Sequence, residues 1–185
     1  MLLENAHKAD LEDNLIPDEL RRFDGFMEPE MYSASTALFR SRDFQLTVFD
    51  VNRKTFENVL GVDLIYWDVT HDVFTMVQYK RFERQNDGSG LVGRWAYHRK
   101  EDIAKQLAQM PKLTNHPTTS HDWRMTQSPF WFKFLNGDAA RTQDGRLLSG
   151  MYVPADYLRL AMEDGSRFRR GHNMAFASTT TPSGT

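Results

Sequence analysis

The sequence predicts an α/β fold in which a central mixed sheet is flanked by helices. Three observations carry that prediction. Two β-prone runs, Leu60–Trp67 and Val73–Phe82, flank the turn-tolerant Asp68, Thr70 and Asp72. Ile103, Leu107 and Met110 then mark one face of a helix. Further on, Pro129-Phe-Trp-Phe-Lys-Phe-Leu135 has the aromatic density of a buried strand.

In chain order, residues 1–27 read as a loosely attached, charged arm, with Leu11, Leu15 and Leu20 on short helical pieces broken at Pro17. Residues 28–172 form the domain. Glu28-Pro29-Glu30 looks like a helix start, with proline in the first turn and acids at the positive end of the dipole. Met31, Ala34 and Leu38 follow at helical spacing, which predicts a helix from Pro29 to Arg40. Phe44, Leu46 and Val48 alternate with Gln45 and Thr47, so Asp43–Asp50 is a strand. Asn52–Asn58 is a polar connection into the hairpin, and Gln85–Gly90 a loop after it. Trp95 and Tyr97 lead into a helix over Arg99–Met110, stopped by Pro111. Residues 111–128 form a long loop, 129–135 a strand and Met151–Pro154 a short strand. Ala155–Glu163 is a helix with Tyr157, Leu158 and Ala161 inward. From Gly171 the apolar pattern lapses, and 173–185 is expected to be a disordered tail. The order is therefore αβββαβ with a terminal helix.

Composition narrows the classes. A chain of 185 residues supports one domain with a substantial core. A net charge of −2 excludes a global basic field, so any nucleic-acid surface must be local. With no cysteine, disulfides, thiolate zinc sites and a cysteine nucleophile are excluded. No run approaches the ~18 apolar residues of a membrane span, and the opening Met-Leu-Leu-Glu is unlike a secretory signal. A cytoplasmic protein without a membrane partner is expected.

The chemistry concentrates in the hairpin. A reversal centred on Thr70-His71 places opposite one another those residues whose numbers sum to 141, Asp63 and Gln78 among them. Lys80 lies two residues past Gln78 and points to the same face. A carboxylate and an amide oxygen are hard donors of the kind Mg²⁺ or Mn²⁺ takes. Such a metal acidifies water and offsets charge on a phosphate, and a lysine can position either. The plainer alternative is a buried hairpin with a surface Asp and a surface Lys.

Gly61-Val62-Asp63 followed by Val77-Gln78-Tyr79-Lys80-Arg81 resembles the PD-(D/E)XK nuclease superfamily, most closely its Mrr-like branch, in which glutamine replaces the acid of the signature. The resemblance covers roughly Pro29 to Leu135. It implies a restriction-endonuclease-like αβββαβ core and metal-dependent phosphodiester hydrolysis, with DNA as the expected polymer. It further implies Asp63 and Gln78 as ligands of Mg²⁺ or Mn²⁺ and Lys80 as a catalytic lysine. An accessory acid comes from the first helix in this family, which points to Glu30, then to Glu28. Glu57, on the approach to Asp63, lies ~20 Å away along an extended chain. The resemblance places the protein in restriction or phage defence, with specificity supplied by a homo-oligomer or a partner protein. The glutamine also keeps open a non-catalytic nucleic-acid- or protein-binding module on a nuclease-like fold. A small toxin or inhibitor on an unrelated α+β fold is a third reading.

Around this centre, Arg81 and Arg84, then Arg99 and Lys100, then Arg167, Arg169 and Arg170 are candidate phosphate-backbone contacts. In the last group Phe168 is interleaved among the charges. Gln106 and Gln109 face the site if the helix packs there. His116, His121 and Asp122 are a weaker metal candidate, and Phe130, Trp131, Phe132 and Phe134 are core.

Overall fold

The computed structural model describes residues 29–51, 59–84, 95–97, 99–112, 119, 128–135, 150–164 and 174–176. Its strands are β1 (Glu30–Ser33), β2 (Thr36–Arg40), β3 (Gln45–Asp50), β4 (Leu64–Asp68), β5 (Val73–Arg81), β6 (Glu83–Arg84), β7 (Trp95–Tyr97), β8 (Phe130–Leu135), β9 (Gly150–Pro154) and β10 (Met174–Phe176). Two helices are described, α1 (Lys100–Gln109) and α2 (Ala155–Asp164).

The hairpin of β4 and β5 has the expected register, from Leu64 opposite Val77 to Asp68 opposite Val73. Its four-residue turn is stabilised by its own polar side chains. Asp68 accepts from the His71 amide (3.1 Å) and contacts the His71 ring (2.7 Å). Thr70 Oγ1 accepts from the Gln45 amide (2.8 Å) and so ties the turn to β3.

Around that hairpin the main sheet has seven strands in the order β1-β2-β3-β4-β5-β8-β9. Neighbours are antiparallel except β5 and β8, which run parallel from Met76 opposite Phe130 to Arg81 opposite Leu135. A parallel pair needs a crossover, and α1 lies within the connection. A second, three-stranded sheet pairs β10 with β7 and β7 with β6. Thus Met174–Phe176, inside the segment expected to be a disordered tail, form a strand against Trp95–Tyr97, and these two aromatics lie on a strand before α1.

The helix expected over Pro29–Arg40 is instead the β1–β2 hairpin. Ser33 Oγ accepts from the Ser35 amide (3.2 Å) and closes a turn in the middle of the apparent helical repeat. Ala37, Leu38 and Phe39 are then buried in succession between β1 and β3. Both faces of β2 are covered there, so tertiary pairing overrides the i, i+3, i+7 spacing. The leading α of the expected order is therefore a correction, whereas an α/β fold with a mixed sheet stands.

Each face of the sheet has its own core. On one, Ile103 and Leu107 of α1, Met110 just after it and Leu158 of α2 pack with Val62, Phe82, Phe130, Phe132 and Phe134. On the other, Phe39, Leu46, Val48, Leu64, Val77, Tyr79 and Leu135 pack together. α2 buries Leu158 and Ala161, but Tyr157, expected inward, is exposed. Arg159 of α2 donates to the terminal carbonyls of α1, Leu107 O at 3.1 Å and Met110 O at 2.8 Å. These carbonyls have no partner within the helix, so the contact fixes where α1 ends over the sheet. Among the described residues, no helix is long and apolar enough to cross a membrane.

Candidate active site

Asp63 sits at the bend where the chain enters β4. Gly61, two residues earlier, has φ +65, and a Cβ there would lie 3.0 Å from Gln106 O and from Gln109 Oε1. Glycine is needed both for the left-handed backbone and for the close approach of α1. The Asp63 amide donates to Val77 O and its carbonyl accepts from Val51 N, both at 2.9 Å. The residue is therefore held from β5 and from the end of β3.

Its side chain is equally constrained. Oδ2 accepts from Gln78 Nε2 at 2.6 Å and from the Tyr79 amide at 2.7 Å. Gln78 Nε2 also lies 3.2 Å from Tyr79 O. Asp63, Gln78 and Lys80 are each less than a tenth exposed. The Asp63 carboxylate thus takes up a backbone donor at the place where β4 leaves its ladder with β5. The Tyr79 amide is a partner that side-chain patterns do not reveal.

Two buried acceptors in this region have no hydrogen-bond partner, Gln78 Oε1 and Gln106 Oε1. An unsatisfied buried amide oxygen is costly, and its presence asks for a donor or a cation. Lys80, two residues beyond Gln78 and so about 7 Å along the strand, shares its face. No described carboxylate pairs with the Lys80 ammonium. The geometry therefore joins one carboxylate to one amide whose oxygen has no partner, with Lys80 on the same face of β5.

These donors suit a hard cation. Mg²⁺ and Mn²⁺ are commonly held by one or two carboxylates, with water and substrate phosphate completing the shell. Among the described residues no group of three or more His, Cys, Asp or Glu side chains is arranged to hold a metal. Of the described residues, Asp63 and neutral oxygens would hold such an ion, with Gln78 Oε1 the one without a protein donor.

Glu30 does not join the site. It lies on β1, the edge of the sheet, with β2 and β3 between it and β4, about 14 Å at the usual strand spacing. Its carboxylate is exposed and 3.4 Å from Arg40. Loss of the predicted helix removes the reason to place it near Asp63. Glu28 and Glu57 lie outside the described residues.

The basic candidates are dispersed. Arg81 has the parity of Val77 and Tyr79, so strand alternation turns it to the face opposite Lys80. Arg99 stands before α1, with Glu83 at 4.0 Å and Asp102 at 3.9 Å. Lys100 opens that helix and Arg84 lies on β6. Arg167, Arg169 and Arg170 lie outside the described residues, as do His116, His121 and Asp122. Phe130, Phe132 and Phe134 are core, as expected. On the far face, Lys133 is buried with its ammonium 5.4 Å and 5.0 Å from the Tyr79 and Tyr152 ring centres.

No family model matches this sequence, and searches of curated proteins and of solved structures give no match either.

Proposed function

We propose that this chain is a metal-dependent nuclease of PD-(D/E)XK type acting on DNA, with the centre at Asp63, Gln78 and Lys80. The observation that carries the reading is the buried Asp63–Gln78 contact, which leaves Gln78 Oε1 without a donor. The chain order supports it: the β3–β4–β5 meander, then α1, then β8 parallel to β5, runs in the βββαβ order that such a nuclease core would need.

Asp63 and Gln78 would hold Mg²⁺ or Mn²⁺, which when bound supplies charge neutralisation and an acidified water. Hydrolysis adds the oxygen of water to phosphorus and breaks the bond to the leaving sugar oxygen. Lys80 would place its ammonium against the phosphate oxygens on which charge accumulates. Asp63, fixed by the Tyr79 amide, needs no reorganisation to keep its carboxylate on that face. By analogy with the resemblance, restriction or phage defence is the expected setting, with a second copy or a partner protein adding specificity.

One observation favours a second reading, a nucleic-acid- or protein-binding module on the same fold: among the described residues no group of three or more His, Cys, Asp or Glu side chains is placed to hold a metal. The deciding experiment is cleavage of plasmid, linear duplex, single-stranded DNA and RNA with Mg²⁺, Mn²⁺ or EDTA, alongside Lys80→Met and Mn²⁺ calorimetry. Metal-dependent cutting lost in the variant supports the nuclease. An absence of cutting together with an absence of Asp63-dependent Mn²⁺ binding supports the binding module.

A further inference from the structure

The row that carries Asp63 and Gln78 continues toward the hairpin tip. Ile65 stands opposite Met76, and Trp67 opposite Phe74. Ile65 and Met76 pack against the core shared with α1, which places the whole row on the α1 side of the sheet. At its end, Phe74 is 43% exposed. The Trp67 and Phe74 rings stack, with centroids 5.6 Å apart and planes 7° from parallel. The indole N–H donates to Asp72 Oδ1 at 3.2 Å, so the turn fixes the orientation of the pair.

We infer that Trp67 and Phe74 form a stacking platform for an unpaired base of the strand presented to Asp63 and Gln78, a substrate preference that rests on the nuclease reading. Phe74 lies four positions before Gln78 on β5, about 13 Å along the strand, a span of a few nucleotides. An aromatic face accepts any base, because every base has a π-face. The acid next to the pair, Asp72, holds the indole, so the tip offers phosphate no attraction and its contact falls to the uncharged base. A base paired within a duplex has no free face. The substrate class is accordingly single-stranded nucleic acid, or a duplex with an unpaired end or flap.

The test uses the full chain in EDTA, where no cutting occurs, and fluorescently labelled oligo(dT) beside a blunt duplex of equal length. Phe74→Ala should weaken oligo(dT) binding about tenfold and leave duplex binding unchanged. Phe74→Tyr should retain parental affinity, which separates ring loss from misfolding. Binding should also quench indole emission in the parent and less so in Trp67→Phe. Equal oligo(dT) affinity for the parent and Phe74→Ala, the result expected if the pair instead serves a protein partner, overturns the inference, and so does a parent that binds neither polymer. Cleavage with Mn²⁺ is scored separately. Cutting without Phe74 dependence defeats the platform alone, whereas Phe74-dependent binding without any cutting defeats the nuclease and leaves the platform.

Discussion

The carboxylate of Asp63 and the carboxamide of Gln78 lie 2.6 Å apart across fifteen residues of sequence. The amide gives its N–H₂ to that carboxylate, and its oxygen is buried with no donor. The contact is a structural hydrogen bond that, in the proposed nuclease, would also turn the amide oxygen to a cation.

Gln78→Glu separates those two aspects. The introduced carboxylate faces Asp63 with no proton between them, so one of the pair takes up a proton above the usual carboxylate range. A folded-state pKa raised above the unfolded value costs stability above the unfolded pKa and spares it below. The melting temperature in EDTA should therefore fall at pH 8 and recover toward parental at pH 4. Mn²⁺ should raise it by more than in the parent, since ligand at a hundred times its Kd adds about 2.7 kcal/mol. A parental melting curve at both pH values would refute the contact.

Lys80→Met tests the cation. Methionine keeps the apolar stem of this buried residue and removes a charge that has no described carboxylate partner, so the melting temperature should stay level or rise. Cleavage should fall by roughly a hundredfold or more. Retained cutting in a well-folded variant would remove Lys80 from the site.

At Asp63 the substitution chosen matters. Ala leaves the buried Tyr79 amide without its acceptor, at about 1–3 kcal/mol, so Asp63→Ala should melt measurably lower as well as lose cleavage. Asp63→Asn keeps an oxygen for Tyr79 and should melt within a few degrees of the parent while losing Mn²⁺ binding in calorimetry.

Gly61→Ala should be destabilised by at least about 1–2 kcal/mol, the cost of a left-handed backbone with a Cβ. It should also push α1 away, because Gln106 O and Gln109 Oε1 already stand 3.0 Å from the new atom. Thermal melts check the first effect. Amide exchange across Lys100–Gln109 checks the second.

The sequence discloses those parts of the molecule where local pattern and tertiary pairing agree. The hairpin register could be counted because its turn is built from its own Asp68, Thr70 and His71. α1 was legible through Ile103, Leu107 and Met110, all of which are buried. Pro29–Arg40 misled because Met31, Ala34 and Leu38 match a helix locally, while the Ser33–Ser35 turn and burial between two strands decide for β. With that helix went the argument for Glu30. Trp67 and Phe74 obey the same sum as Asp63 and Gln78, so the arithmetic already reached them, but exposure is not written in a β-prone run. The Tyr79 amide is a main-chain group and leaves no trace in side-chain spacing.

The parallel pairing of β5 with β8 implies an order of events. β4 and β5 meet through a four-residue turn, a closure that takes about 1–10 μs in isolated hairpins. β8 meets β5 only after some fifty intervening residues have been gathered in, and such distant pairings are slow. The Asp63–Gln78 pair should therefore assemble while the α1 layer above it is still open to solvent. Pulse-labelled amide exchange would register this as protection of Tyr79 before Phe132. Protection of both in a single phase would mean that the centre and its cover form together.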